Sequence, residues 1–213
     1  MCERAEYITI KQEASSVFID RKSRFIADAF PVSNEDEAIE KLNWVKKKYP
    51  DARHHVYAYI IGKSNIFRYS DDSEPSGTAG MPMLDTMRKN GIVDALIVVT
   101  RYFGGTLLGT GGLVHAYSTA AKQALIQAGV VKRVLCNEIY VKTDYTFSGK
   151  IMHTAEQKGY IISDTLYTDC VTFIFLSELE NTDSFVKEMT ELTCAAAEIT
   201  VMGQSYVDMS ICR

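Results

Sequence analysis

The sequence predicts an α+β protein of two domains, 1–135 and 136–213. After residue 135 the hydrophobic pattern reads β-α-β-β-α-β, the ferredoxin-like split βαβ. Charge divides near the same place. The net charge of −4 combines +3 over 1–135 (18 Lys and Arg, 15 Asp and Glu) with −7 over 136–213 (5 and 12), so the two parts present different surfaces. The first part also contains an apolar strand, a glycine-rich loop and a long amphipathic helix in succession, the layout of an anion site. No Pro- or Ser-rich linker separates the halves, which predicts close coupling.

Strands are expected at 7–14, 17–20 and 24–32. Ser33 with Asp36 then reads as a capping box for a helix that runs to Pro50, with acids early and Lys46, Lys47 and Lys48 late, as the helix dipole favours. A run of lysines there is ordinarily a solvated helix end; a face toward RNA is the minority reading. The β-rich stretch 54–61, the turn 62–65 and the return strand 66–69 form a hairpin that leads into an acidic loop. A short helix at 83–89 follows, then the continuous apolar run 92–100, which reads as a strand buried on both faces.

Thr110 is the expected N-cap of the next helix, whose apolar residues (Leu113, Ala116, Tyr117, Ala120, Ala121, Ala124, Leu125, Ala128) keep helical spacing up to Gly129. Beyond it come a strand at 139–145, a helix at 148–158, strands at 160–167 and 170–177, a helix at 182–192 and a strand at 197–209.

Composition narrows the function classes. With 46% hydrophobic and 23% charged residues the chain has the make-up of a soluble globular protein. No apolar run approaches the ~20 residues that span a bilayer, and no apolar segment follows the N-terminus. The cytoplasm is the expected location, with no membrane partner. The five cysteines are dispersed without a CxxC pair, so reduced thiols are expected and neither a metal site nor a cofactor.

Two loops carry the chemistry. Five of the 13 glycines fall within nine positions: Gly104, Gly105, Gly109, Gly111 and Gly112. Free amides at the following helix start, with Thr110 and the Arg101 guanidinium, are candidates for holding a phosphate or carboxylate, and Tyr102 stands beside them. The blander alternative is a tight connection with Arg101 in a structural ion pair. The run is neither a P-loop nor a dinucleotide fingerprint. His115, opposite the apolar stripe, is placed to touch a bound anion.

In the second loop, Asp71, Asp72 and Glu74 offer three carboxylates, more often a solvated turn than a cation site. Ser76, Gly77 and Thr78 could close around an oxyanion. His54 and His55 open a strand and face opposite ways; one near Asp72 or Glu74 is a candidate base. No Ser/His/Asp or activated cysteine arrangement is legible, and no residue is named as catalytic. Tyr57, Tyr59, Phe67 and Tyr69 are core residues or a base-stacking surface.

Glu74-Pro75-Ser76-Gly77-Thr78-Ala79-Gly80, Val98 through Gly105 and Leu108 through Tyr117 together resemble the IMPACT family, and more narrowly its bacterial YigZ-type members. Ser23-Arg24-Phe25-Ile26-Ala27, the His54 strand and Arg68 through Asp72 fit the same pattern. Ser73 departs from it, standing where a glycine is common, and so does His115, where the residue is usually basic.

The resemblance implies an N-terminal domain with a ribosomal-protein-like α/β sandwich and a C-terminal ferredoxin-like domain. Eukaryotic members regulate translation by binding an activator of an initiation-factor kinase, partly through an RWD domain for which this chain has no room. The N-terminal fold is also shared by small-molecule kinases that hold ATP phosphates in a glycine loop.

The expectation is a translation-linked regulatory protein, not an enzyme, binding RNA phosphates or a ribosome-associated partner through the two loops. The alternative is an enzyme on a phosphorylated or carboxylated small molecule, either a nucleotide-dependent kinase or a metal-assisted hydrolase using His54, Asp72 and Glu74. Ligand and oligomeric state are not legible.

Overall fold

The computed structural model describes residues 4–210. The chain forms two compact units, one of Tyr7–Lys132 and one of Arg133–Met209 together with the residues before Tyr7.

The first unit is a five-stranded antiparallel sheet with helices on both faces. Its elements are β1 (Glu6–Ile10), β2 (Ala14–Asp20), β3 (Ser23–Pro31), α1 (Glu35–Lys48), β4 (His54–Ile61), β5 (Ile66–Ser70), α2 (Gly80–Lys89), β6 (Ala95–Tyr102) and α3 (Gly109–Ala128). The strand order is β2-β3-β6-β4-β5. β6 is central, and its residues from Ala95 to Arg101 are all buried, as the continuous apolar run predicts.

Alternation assigns the two faces. Phe25, Ala27, Ala29, Val56, Ala58, Ile97 and Val99 pack with α2 and α3. Phe30, Tyr59, Leu96 and Val98 pack with Ala38, Leu42 and Val45 of α1. The fully buried alanines of α3 (Ala116, Ala120, Ala121, Ala124) let its backbone lie close to the sheet.

The second unit contains β7 (Val130–Thr143, which begins in the first), α4 (Tyr145–Lys158), β8 (Ile161–Tyr167), β9 (Val171–Glu178), α5 (Thr182–Leu192) and β10 (Glu198–Ser210). Its sheet has five strands, β1-β7-β9-β8 with β10 also paired to β7, and within it β10-β7-β9-β8 is the ferredoxin-like order. Ile139, Val141, Phe173 and Phe175 form a core with Ile151, Ala155, Phe185 and Met189 of the two helices.

Three local expectations are corrected. The cap of α1 is Asn34, not Ser33: its Oδ1 accepts from the Glu37 amide at 2.9 Å, while Glu37 accepts from the Ser33 amide at 2.7 Å and the Asn34 side chain at 3.0 Å. Asp36 takes no part in the box, because the reciprocal residue lies three beyond the true cap. α3 begins at Gly109, and Leu108 stands at the cap position without a side-chain bond, so Thr110 lies inside the first turn. α2 begins at Gly80, three residues before the apolar pattern, because its amides find an acceptor outside the helix.

Candidate functional site

That acceptor is Asp71, at the end of β5. Its Oδ1 accepts from the amides of Gly80 at 2.8 Å and Ala79 at 3.0 Å, and its Oδ2 from Gly77 at 2.8 Å. Of residues 76–78 only the Gly77 amide meets an oxyanion, and that oxyanion is the chain's own Asp71 carboxylate at a helix N-terminus. The Thr78 amide and hydroxyl both donate to the Pro75 carbonyl. Ser76 is exposed. The neighbouring Asp72 accepts from the His55 amide at 2.6 Å. Two of the three carboxylates thus bind backbone amides, and among the described residues no His, Cys, Asp and Glu cluster suited to a metal occurs.

Glu74, the third, is buried and binds side chains. Its Oε1 accepts from Arg101 Nη1 at 2.6 Å and from the Tyr117 hydroxyl at 2.7 Å. Only 4% of the Glu74 side chain and 7% of Arg101 is exposed. A carboxylate this deep needs both partners. Burial first, and then the Glu74 charge, push the Tyr117 hydroxyl far above the usual phenol range, so it stays a donor. The Arg101 guanidinium lies 5.4 Å from the Phe25 ring and 5.8 Å from the Phe103 ring. Its Nε is buried without a hydrogen-bond partner.

Arg101 also lines a cleft of about 540 Å³ at the C-terminal end of β6, together with Asp51, Arg53, His54, Tyr102, Phe103 and Leu107. Pairing of β4 with β6 places His54 opposite Arg101. His54 Nδ1 lies 2.8 Å from the Asp72 carbonyl oxygen. A carbonyl only accepts, so Nδ1 donates here, and in the neutral tautomer Nε2 is the acceptor. Tyr102 donates to Asp51 at 2.8 Å, and burial together with that bond raises its hydroxyl above the usual range. Phe103 is 57% exposed and Leu107 83%, so both apolar side chains stand open to solvent at the cleft.

The glycine run serves this architecture. A Cβ on Gly104 would stand 2.0 Å from the Lys22 carbonyl carbon, so the run's first glycine exists to let β6 pass the turn between β2 and β3. Gly105, Gly109, Thr110 and Gly111 are exposed, Gly112 is half-buried, and His115 is exposed on α3. The cleft lining includes none of these six.

The structure therefore brings Arg101, Tyr102 and His54 together in the cleft, with Glu74 bonded to Arg101, and leaves the remaining predicted residues outside the lining, in the two loops and at the helix starts. Sequence reasoning missed Asp51, Arg53, Phe103 and Leu107 as lining residues, and Tyr117 as the partner of Glu74. An apolar Phe103 inside a glycine loop, and a tyrosine where an alanine-rich stripe needs no hydroxyl, were the available signals.

Comparison with known proteins agrees with this division. The Impact N-terminal domain matches residues 21–125, and a domain of unknown function, DUF1949, matches 141–196. The chain is similar to IMPACT family member YvyE of Bacillus subtilis, 37% identical over 96% of this chain and 95% of that protein. It is also similar to IMPACT family member YigZ of Escherichia coli, 40% identical over 59% of this chain and 63% of that one. A crystal structure of a hypothetical protein superposes with a TM-score of 0.60 at 28% identity, covering 94% of this chain and 99% of the other. No helix among the described residues is long and apolar enough to cross a membrane. With two domains matched in order, and one relative matched from end to end, the chain belongs to the IMPACT family.

Proposed function

We propose that the chain is a translation-linked regulatory protein of the cytoplasm that binds RNA phosphates in the cleft at the end of β6. The observation that carries this reading is the convergence of Arg53, His54 and Arg101 beside the exposed ring of Phe103. Cations with an aromatic wall suit a phosphate and its attached base. Phe103 and Leu107 bring the glycine-rich loop to the cleft, and the exposed amides from Gly109 to Gly111 offer a secondary contact. Glu74 neutralises part of the Arg101 charge, which makes Arg53 the principal exposed cation.

Filter binding to single-stranded RNA at several salt concentrations tests this. Affinity falls with salt, and Arg53→Ala lowers both the affinity and the salt slope, by about one phosphate contact. Arg53 is the informative position because Arg101→Ala would strand the buried Glu74 carboxylate. Unchanged RNA affinity in Arg53→Ala removes the cleft as the site. Co-sedimentation with ribosomes in the absence of RNA affinity transfers the reading to a ribosome-associated protein partner.

One observation favours a second reading, an enzyme acting on a phosphorylated small molecule. The His54 tautomer leaves Nε2 as a proton acceptor on a cleft residue. Thermal-shift screening with nucleotides and divalent cations separates the readings: stabilisation by a mononucleotide with no RNA affinity selects the enzyme.

A further inference from the structure

Next to the cleft, on the α1 side of the sheet, basic groups stand over aromatic rings. Arg24 and Tyr102 are cross-strand partners, with the guanidinium 6.0 Å from the ring centroid. Lys48, in the last turn of α1, lies 4.8 Å from the Trp44 ring and 4.9 Å from the Tyr49 ring. Trp44 is 49% exposed, and Lys46 and Lys47 beside it are exposed as well. Tyr102 belongs to both places: it lines the cleft and carries Arg24. Its hydroxyl is tied to Asp51, two residues after Tyr49. The two aromatic sites are therefore continuous around the end of β6.

Three acids near this path are engaged, while Glu40, one turn before Trp44 on α1, is exposed. Asp51 accepts from Tyr102, Asp28 is buried 3.3 Å from Lys48 Nζ, and Glu13 is 2.6 Å from Lys41 Nζ. Burial opposes the Lys48 charge, but Tyr49 and Asp28 outweigh it and raise its pKa, so the amine stays cationic.

We propose that this path takes single-stranded RNA leaving the cleft, with bases stacking on Tyr102 and Trp44 and phosphates meeting Arg24 and the lysines at the end of α1. The inference rests on the cleft reading and extends it from one nucleotide to several. An exposed ring beside a cation accepts any unpaired base, whereas a duplex hides its base faces. Arg24, Lys46 and Lys47 supply exposed positive charge beside these rings, which suits a polyanion.

The test compares a uridine mononucleotide with an oligouridylate of about ten nucleotides, within the span of such sites. The oligomer binds more tightly than the mononucleotide. Trp44→Ala and the double variant Lys46→Glu/Lys47→Glu each weaken the oligomer about tenfold, on the scale of one lost stacking contact, and leave the mononucleotide unchanged. Lys48 is avoided because its loss would leave Asp28 buried without a cation. Arg53→Ala weakens both ligands.

Equal affinity for the two ligands overturns the path and leaves the cleft reading standing. So does oligomer binding that responds to Arg53→Ala but not to Trp44→Ala. No binding of either ligand overturns both readings. Tighter binding of a duplex than of the single strand, or a dimer abolished by Ile19→Asp on the exposed edge strand β2, assigns the face to another occupant and overturns the path.

Discussion

Glu74 holds three distant parts of the first unit together: its own loop, the end of β6 through Arg101 and α3 through Tyr117. Removing the cation strands a charge. Arg101→Ala is expected to cost about 3–5 kcal/mol in urea unfolding. Tyr117→Phe removes one hydrogen bond to a charged acceptor, about 1.5–3 kcal/mol. The Arg101→Met/Glu74→Leu pair, which removes both charges, costs far less than Arg101→Ala, and equal losses would show that the charge is not the issue. Ser73 is a second residue-scale case. Its φ of +69° lies in the left-handed region, where a side chain is strained. A glycine is common at this position in the family pattern, and the backbone explains why. Ser73→Gly is expected to stabilise the protein by about 1 kcal/mol, the relief of strain exceeding the entropy that glycine loses; a lower melting temperature would contradict it. Nothing in sequence order joins Glu74 to Tyr117, 43 positions away. The ion pair was legible only as the bland alternative for Arg101, and without a named partner.

Among the elements, helix bodies were legible, while the starts of α1, α2 and α3 were not. The span 182–192 and the apolar stripe of α3 follow from periodicity, which many residues report together. A cap depends on one acceptor, and for α2 that acceptor is Asp71, nine positions before Gly80. Asp71→Ala exposes three amides and is expected to cost about 0.5–2 kcal/mol, with hydrogen exchange quickening first at Gly80 and Ala79. Uniform quickening across the sheet would mean that the loop, not the cap, had failed. In the second unit α4 and α5 are linked by pH-sensitive groups. Glu188 accepts from the Tyr160 hydroxyl at 2.6 Å and lies 2.6 Å from Lys158 Nζ. These bonds hold the Glu188 carboxyl below its ordinary value, with the Lys158 bond foremost. The bond to Glu188, with burial, pushes Tyr160 up to about 12. The signs follow. The Glu188 contribution is present above the unfolded carboxyl value and lost as pH falls through the depressed one. The Tyr160 contribution is present below the unfolded phenol value of ~10 and lost as pH rises toward 12. Glu188→Gln should flatten the acid limb of a melting-temperature profile by lowering the neutral plateau slightly, since the group is partly solvated, and should leave the acid end unchanged.

At the scale of the whole chain, the two-part plan was legible because charge and element order both change near residue 135. The partition of the ends was not. Hydrogen bonds carry the information: the Ala5 carbonyl accepts from the Leu135 amide at 2.8 Å, and the Tyr206 hydroxyl donates to the Arg4 carbonyl at 2.8 Å. The start of the chain therefore completes the unit built from its last third, while the sheet from β2 to β5 has its own core. A backbone pairing of residues 130 positions apart leaves no mark on composition or periodicity, so only the fold reveals it. Deleting residues 1–6 is expected to unpair the Leu135 amide and remove the Tyr206 acceptor. Each lost bond is worth about 1 kcal/mol, and the exposed strand edge adds to the loss. Hydrogen exchange of the truncated chain should quicken along β7 and β10 and stay native in β3, β4 and β6. RNA affinity of the cleft, which lies wholly in the first unit, should persist. Faster exchange in β6 with β7 unchanged would overturn this assignment of the N-terminal residues.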